Sequence, residues 1–203
     1  GRPCVAGHAG LGAPGAPDAV PHRASSRPRR RAAAAERLGA GALPSVAYLN
    51  ISSTHVGDTG ASALATALGR GALPRLKTLN LCNSAIGDAG LMALAPALRR
   101  RLPALQTLYL GYSSFGDEGL AALVAPLLPL PAGVPPPPTG VLTKLKSLYL
   151  NDTQITDAGC AALAAALGRG ALSELENLYL HRIPASAAAK TGVRAARDGL
   201  RVC

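Results

Sequence analysis

Residues 76–98 read LKTLNLCNSAIGDAGLMALAPAL, and this stretch decides the fold. Leucine stands at 76, 79 and 81, and the alternation that ends the triplet is the two-residue period of a short β-strand. Ile86, Asp88 and Gly90 follow at a turn, and Leu94 and Leu98 then recur four residues apart, on one face of a helix. A single strand and helix of this size cannot enclose a core. The pattern requires neighbours of the same kind.

Those neighbours are present. The LxxLxL triplet recurs as Leu105, Leu108, Leu110, as Leu145, Leu148, Leu150 and as Leu175, Leu178, Leu180, with an earlier degenerate copy at Val46, Leu49, Ile51. Successive copies start 30, 29, 40 and 30 residues apart. An apolar residue follows each triplet at a fixed distance (Val56, Ile86, Phe115, Ile155), then Asp58, Asp88, Asp117 and Asp157, then Gly60, Gly90, Gly119 and Gly159. Each aspartate is expected to accept hydrogen bonds from the free amides at the start of its helix, as an N-cap. Arg70, Arg99, Arg100, Arg101 and Arg169 fall where helices should end, beside the negative pole of the dipole. Gly69–Gly71 and Gly168–Gly170 should stop the helix and turn the chain. Stacked units of this kind give a parallel sheet backed by parallel helices, with leucines between them.

The chain resembles the leucine-rich repeat family, in particular its ribonuclease-inhibitor-like class, over roughly residues 45–180. The resemblance implies an α/β solenoid, a right-handed horseshoe arc with parallel strands on the concave face and helices on the convex face. A half-unit reaches further back, because Leu38, Gly39, Gly41, Ala42, Leu43 and Pro44 match residues 68–74. One departure is consistent. The family's usual Asn after LxxLxLxx is replaced by Thr54, Ser84, Ser113 and Thr153, whose hydroxyls can make part of the same backbone contacts. The last copy lacks Asp-x-Gly and continues into an Ala-rich stretch, about Ser186 to Arg197, expected as a terminal capping helix.

Composition agrees with an aliphatic repeat. The 203 residues are 48% hydrophobic and 3% aromatic, with no Trp and one Phe. The net charge of +10 belongs to the ends: residues 1–31 hold six Arg against Asp18, residues 182–203 hold five basic residues against Asp198, and the span between is nearly neutral. Residues 1–31, rich in Gly, Pro, Ala and Arg, are expected to be a disordered basic tail, with organelle targeting as the alternative. Arg27, Arg29, Arg30 and Arg31 could attract nucleic acid electrostatically, but without interleaved aromatics no specific recognition is expected. The repeats are expected over 32–181, and a capping helix followed by a basic tail over 182–203. The long step holds an insertion, 129–139, in which Pro135 to Pro138 are consecutive. A polyproline II segment for a proline-reading domain is one reading, and a tolerated surface loop is the other. The start at Gly1 leaves open a fragment, a processed product or an imperfect gene model.

Four widely spaced cysteines suggest neither a disulfide scaffold nor a metal site, and reduced thiols fit a cytoplasmic chain. Prolines interrupt the longest apolar run, so no membrane span is expected. No phosphate loop, H-E-x-x-H or G-x-S-x-G occurs. Cys82 and His181 share an outward strand position but should lie three strands, roughly 14 Å, apart, which excludes a dyad. No enzyme, cofactor or small-molecule substrate is expected.

The outward strand positions are the informative ones. Between the last two leucines of each triplet stand Asn50, Asn80, Tyr109, Tyr149 and Tyr179, and Tyr112, Asn151 and Asp152 follow just beyond. Nearly all the aromatic residues of the chain are thus predicted on one concave surface. Tyr is a frequent interface anchor, and these residues are the candidate contacts for a protein partner. A cross-strand ladder that only steadies the sheet is the competing reading. The function expected is a non-enzymatic interaction scaffold. The alternatives are a small-GTPase regulator of the Ran GTPase-activating type and the repeat end of a larger sensor protein.

Overall fold

The structure is a computed structural model that describes residues 45–125 and 142–203. The basic stretch 1–31, the half-unit within 32–44 and the insertion 129–139 lie outside those residues. Within them the elements run β1 (Tyr48–Asn50), α1 (Gly57–Gly69), β2 (Thr78–Asn80), α2 (Asp88–Arg101), β3 (Thr107–Tyr109), α3 (Asp117–Val124), β4 (Ser147–Tyr149), α4 (Asp157–Gly168), β5 (Asn177–Tyr179), α5 (Ala187–Ala195) and β6 (Arg201–Val202). All strands are parallel and ordered as in the chain, as an α/β leucine-rich solenoid requires.

The register follows the leucines. Leu49, Leu79, Leu108, Leu148 and Leu178 stand in one row across the sheet, and Val202 completes it. From β2 to β5 this central residue is fully buried and its two neighbours are half-buried, so every strand turns one side chain into the core and two outward. The helices supply the other wall through Leu64, Leu94, Leu123 and Leu163, and Phe115 fills the place held by Ile86 and Ile155 in sister units. Cys160 occupies the place of Leu91 and Leu120 and is equally buried. Gly71 and Gly170 take left-handed φ values of 77° and 84° after the ends of α1 and α4, the conformation that turns the chain back toward the sheet.

The hydroxyls at the family's Asn position are engaged with backbone. Thr153 Oγ1 donates to the Leu150 carbonyl at 2.8 Å, and Ser84 Oγ reaches the Ile51 carbonyl of the preceding unit at 3.3 Å. Among the described residues no buried side-chain polar atom lacks a partner.

The repeat aspartates act one unit further along than their spacing suggested. Asp58, Asp88, Asp117 and Asp157 lie in the first turn of their own helices, and the caps of α1 to α3 (Val56, Gly87, Gly116) use no side chain. Instead Asp88 Oδ1 accepts from the amides of Gly116 at 2.9 Å and Gly119 at 2.7 Å, at the start of α3. Asp58 serves Gly87 and Gly90 in the same way, Asp117 serves Thr156, and Asp157 serves Ser186. These carboxylates stand inside the first turn, past the N-cap position from which a side chain bonds the N2 and N3 amides, and stacking brings the next helix start within their reach. The Asp-x-Gly glycines of α2 to α4, Gly90, Gly119 and Gly159, make the room. A Cβ on Gly119 would stand 2.8 Å from Asp88 Oδ1, and one on Gly90 would stand 2.5 Å from Asp58 Oδ1.

The C-terminal end also departs from expectation. The capping helix forms as α5, with Ser186 Oγ accepting from the Ala189 amide at 3.2 Å. The residues beyond it are not a tail. Gly199 turns the chain (φ 79°), and Arg201–Val202 adds a sixth strand through bonds from Arg201 N to the Glu176 carbonyl and from Cys203 N to the Leu178 carbonyl. Leu200 is buried and Val202 half-buried, so this end still obeys the alternation of the earlier strands without their triplet.

Candidate interaction surface

On the concave face the outward position of β3, β4 and β5 is tyrosine in every case. Tyr109 stacks on Tyr149 with ring centroids 4.2 Å apart and planes inclined by 20°, and Tyr149 stacks on Tyr179 at 4.1 Å and 5°. Parallel strands in register force this spacing, since equivalent side chains repeat at about the interstrand distance. The rings therefore cover one another's faces and present edges and hydroxyls to the concave space. Burial, followed by hydrogen bonding to the Tyr179 hydroxyl, pushes the Tyr149 phenol above its ordinary range, and contacts with Tyr109 add to the effect.

Just past the strand ends runs a second row, Ser53, Asn83, Tyr112, Asp152 and Arg182. All five are non-glycine residues with left-handed φ between 52° and 55°. Repeated stacking imposes a conformation that each alone would disfavour by about 1–2 kcal/mol. Their side chains are cross-linked between units. Arg182 Nε pairs with Asp152 Oδ1 at 3.1 Å, and Arg182 Nη2 reaches across the intervening unit to donate to the Tyr112 hydroxyl at 3.1 Å. Asn83 Nδ2 donates to Ser53 Oγ at 3.3 Å. Tyr112 keeps about half its surface exposed, and Tyr48 more.

The remaining predicted contacts are altered by local chemistry. Asn50 and Asn80 are on the concave face, but each Oδ1 accepts from a backbone amide two residues on, Ser52 and Cys82, at 3.0 Å. Such turns occupy one lone pair of the carbonyl and leave the amide group free to face a partner. Asn151 is buried, with 6% of its surface exposed, and is removed from the contact surface. The cause is Gly111 in the neighbouring unit. A Cβ there would come within 2.7 Å of Asn151 Oδ1, so the missing side chain lets Asn151 lie down over the adjacent strand while its Nδ2 donates to Asp152 at 3.0 Å.

Nothing in this surface resembles a nucleophile. Strands β3 and β4 separate Cys82 from His181. Burial pushes the Cys82 thiol up, and the backbone hydrogen bond at Gly111 offsets this only in part, the reverse of what an attacking thiolate needs. Among the described residues no group of His, Cys, Asp and Glu is placed to hold a metal ion. No described helix is long and apolar enough to cross a membrane.

A leucine-rich repeat family model matches residues 42–65, 73–95, 102–124 and 141–164, four units in the register set by the leucine triplets. The chain is a leucine-rich repeat protein. Among solved structures it is similar to leiomodin-1 actin-binding site 2, with a TM-score of 0.57 and 14% identity, covering 85% of this chain and 86% of that one. An internalin (inlF) from Listeria monocytogenes str. 4b F2365 is also similar, at 18% identity over 80% of this chain. The match covers 48% of the internalin, with a TM-score of 0.39. No curated protein matches the chain. Identities this low establish shared architecture alone.

Proposed function

We propose that the chain is a non-enzymatic scaffold that docks a protein partner on its concave face, centred on Tyr109, Tyr149 and Tyr179. The observation that carries this reading is the stacked tyrosine row itself. A chain with 3% aromatic residues has set three of them side by side on one surface, with their hydroxyls and edges outward. Tyr112, Asp152 and Arg182 form a polar margin beside the row, and the amide groups of Asn50 and Asn80 extend it toward β1. That arrangement has the usual anatomy of a protein interface, an aromatic centre with a polar rim. Leiomodin-1, whose matching segment is an actin-binding site, supports a binding role for a similar architecture without identifying this chain's partner.

Tyr149→Phe separates docking from sheet support, because it keeps both stacking contacts and removes one hydroxyl. Tyr179→Ala removes an anchor that stacks on only one neighbour. Against a partner captured by affinity purification and then purified, Tyr179→Ala should weaken binding by about 30-fold, the scale of a central anchor. Tyr149→Phe should weaken it measurably while leaving the melting temperature in place. Unchanged affinity in both variants, alongside lost stability in Tyr179→Ala, would reduce the row to a sheet-steadying ladder.

A further inference from the structure

The repeat span is almost neutral in the sequence, but the fold sorts its charges onto two opposite edges. Every helix begins on the edge where the parallel strands end, and there stand Asp58, Asp88, Asp117, Glu118, Asp152 and Asp157, interrupted by Arg182, which pairs with Asp152. The four repeat aspartates are already engaged by groups of the following unit. Every helix ends on the other edge, where the strands begin. The connection from α1 to β2 carries Arg70, Arg75 and Lys77, and the last turn of α2 adds Arg100 and Arg101. Lys144, Arg169 and Arg201 continue the same sign through the later units. All of these side chains are exposed, and none forms an ion pair with a described carboxylate. Glu174, Glu176 and Asp198 interrupt this edge, and Glu176 is held by Lys146 at 3.4 Å. The chain also enters the fold here. Ser45, the first described residue, precedes β1 on this edge.

We propose that this basic rim binds the phosphate backbone of nucleic acid without reading sequence, separately from the concave tyrosine face. Three observations favour that partner. The charges repeat along successive units from β2 to β6, about 19 Å on the strand side, which suits a linear polyanion better than a point anion. Arginine predominates, and its planar fork matches phosphate oxygens in pairs. Of the exposed large apolar residues, Met92 and Tyr112 lie in α2 and beyond β3, and Tyr48 alone, at the start of β1, stands on this edge. The rim thus offers a single ring and no cluster of apolar anchors, too little for a lipid surface to engage or for successive bases to stack on. Arg100 and Arg101 also line a groove of about 370 Å³ between α1 and α2, walled by the small residues Ser62, Ala65 and Gly69, where a backbone can approach closely.

The test uses the full chain with short fluorescein-labelled single-stranded RNA and duplex DNA of several unrelated sequences, read by anisotropy between about 50 and 200 mM salt. Vesicles of phosphatidylserine and phosphatidylcholine run in parallel. Binding should differ little between sequences, and the logarithm of affinity should fall linearly with the logarithm of salt. Combining Arg70→Gln, Arg75→Gln, Arg100→Gln and Arg101→Gln should flatten the duplex slope by up to about 3.6 and weaken binding at least about 10-fold. The same four positions changed to Lys should keep the slope, because counterion release counts charges. Tyr149→Phe should leave both quantities unchanged. Absence of binding at the lowest salt, a Gln variant with the parental slope, or capture of vesicles with nucleic acid left free would each overturn the proposal.

Discussion

Asp88 and Gly119 offer the sharpest test of how the units are joined. Asp88→Ala removes an acceptor that holds two amides, Gly116 N at 2.9 Å and Gly119 N at 2.7 Å, and both glycines are buried. Loss of an N-cap costs about 0.5–2 kcal/mol, and a buried donor left unpaired costs about 1–3 kcal/mol. Asp88 is half-buried, so water can reach part of the gap, and the expected cost is about 2 kcal/mol. That corresponds to a melting temperature lower by roughly 4–8 °C for a chain of this length. Gly119→Ala alone should also destabilise, by about 1–3 kcal/mol, since its Cβ would stand 2.8 Å from Asp88 Oδ1 and displace the carboxylate. Once Asp88 is alanine that clash is gone, and the next atoms to the new methyl, Leu91 Cδ2 at 3.2 Å and Leu91 Cβ at 3.3 Å, need give only a few tenths of an ångström. Alanine then gains its helix-propensity advantage of about 1 kcal/mol. The double mutant should therefore be no less stable than Asp88→Ala. Urea titrations of the four proteins measure the coupling. Additivity within about 0.5 kcal/mol would show that the aspartate and glycine do not act as one joint.

Three further outcomes can be measured on the same material. Leu108→Ala, at the fully buried centre of β3, should cost about 2–5 kcal/mol in urea unfolding, and a change below about 1 kcal/mol would contradict the register. The backbone and side-chain hydrogen bonds of Ser186 hold the Asp157 carboxyl below its ordinary value. The unfolded chain takes up the proton first, so the stability linked to Asp157 is present above about pH 3.9 and is lost as pH falls through the lower folded value. Asp157→Asn should flatten the acid limb of the stability profile, and a parental limb would refute the linkage. The raised Tyr149 phenol has the opposite sign, with stability present below about pH 10 and lost as pH rises beyond it. Ultraviolet titration should find one tyrosine ionising after the others, and Tyr149→Phe should remove that late step.

Features that lie within one unit were legible in the sequence. The leucine triplet fixed strand position and parity, and parity alone put Tyr109, Tyr149 and Tyr179 on the concave face. The hydroxyls that replace Asn were legible too, because Thr153 bonds a carbonyl only three residues away. The second strand-helix signal at the C-terminal end was weaker. Leu200 and Val202 alternate as a strand should, but two residues cannot outweigh a basic composition until Leu178 is seen opposite Val202.

What sequence reasoning missed lies between units. Asp88 looks like a cap for its own helix until stacking places Gly116 and Gly119 beside it. Asn151 looks like a contact residue until Gly111, one unit earlier, is seen to leave the space it occupies. Arg182 reaches Tyr112 across a whole intervening unit, a separation of 70 residues. The tyrosine stack has the same origin, since ring-to-ring distance is set by strand spacing and not by anything along the chain. Charge segregation follows this rule most clearly. Acidic residues at helix starts and basic residues at helix ends cancel when summed along the chain, but parallel stacking adds like to like on each edge. In a solenoid each local preference is multiplied by the number of units, so the edges inherit a bias that the total charge of the repeat span conceals.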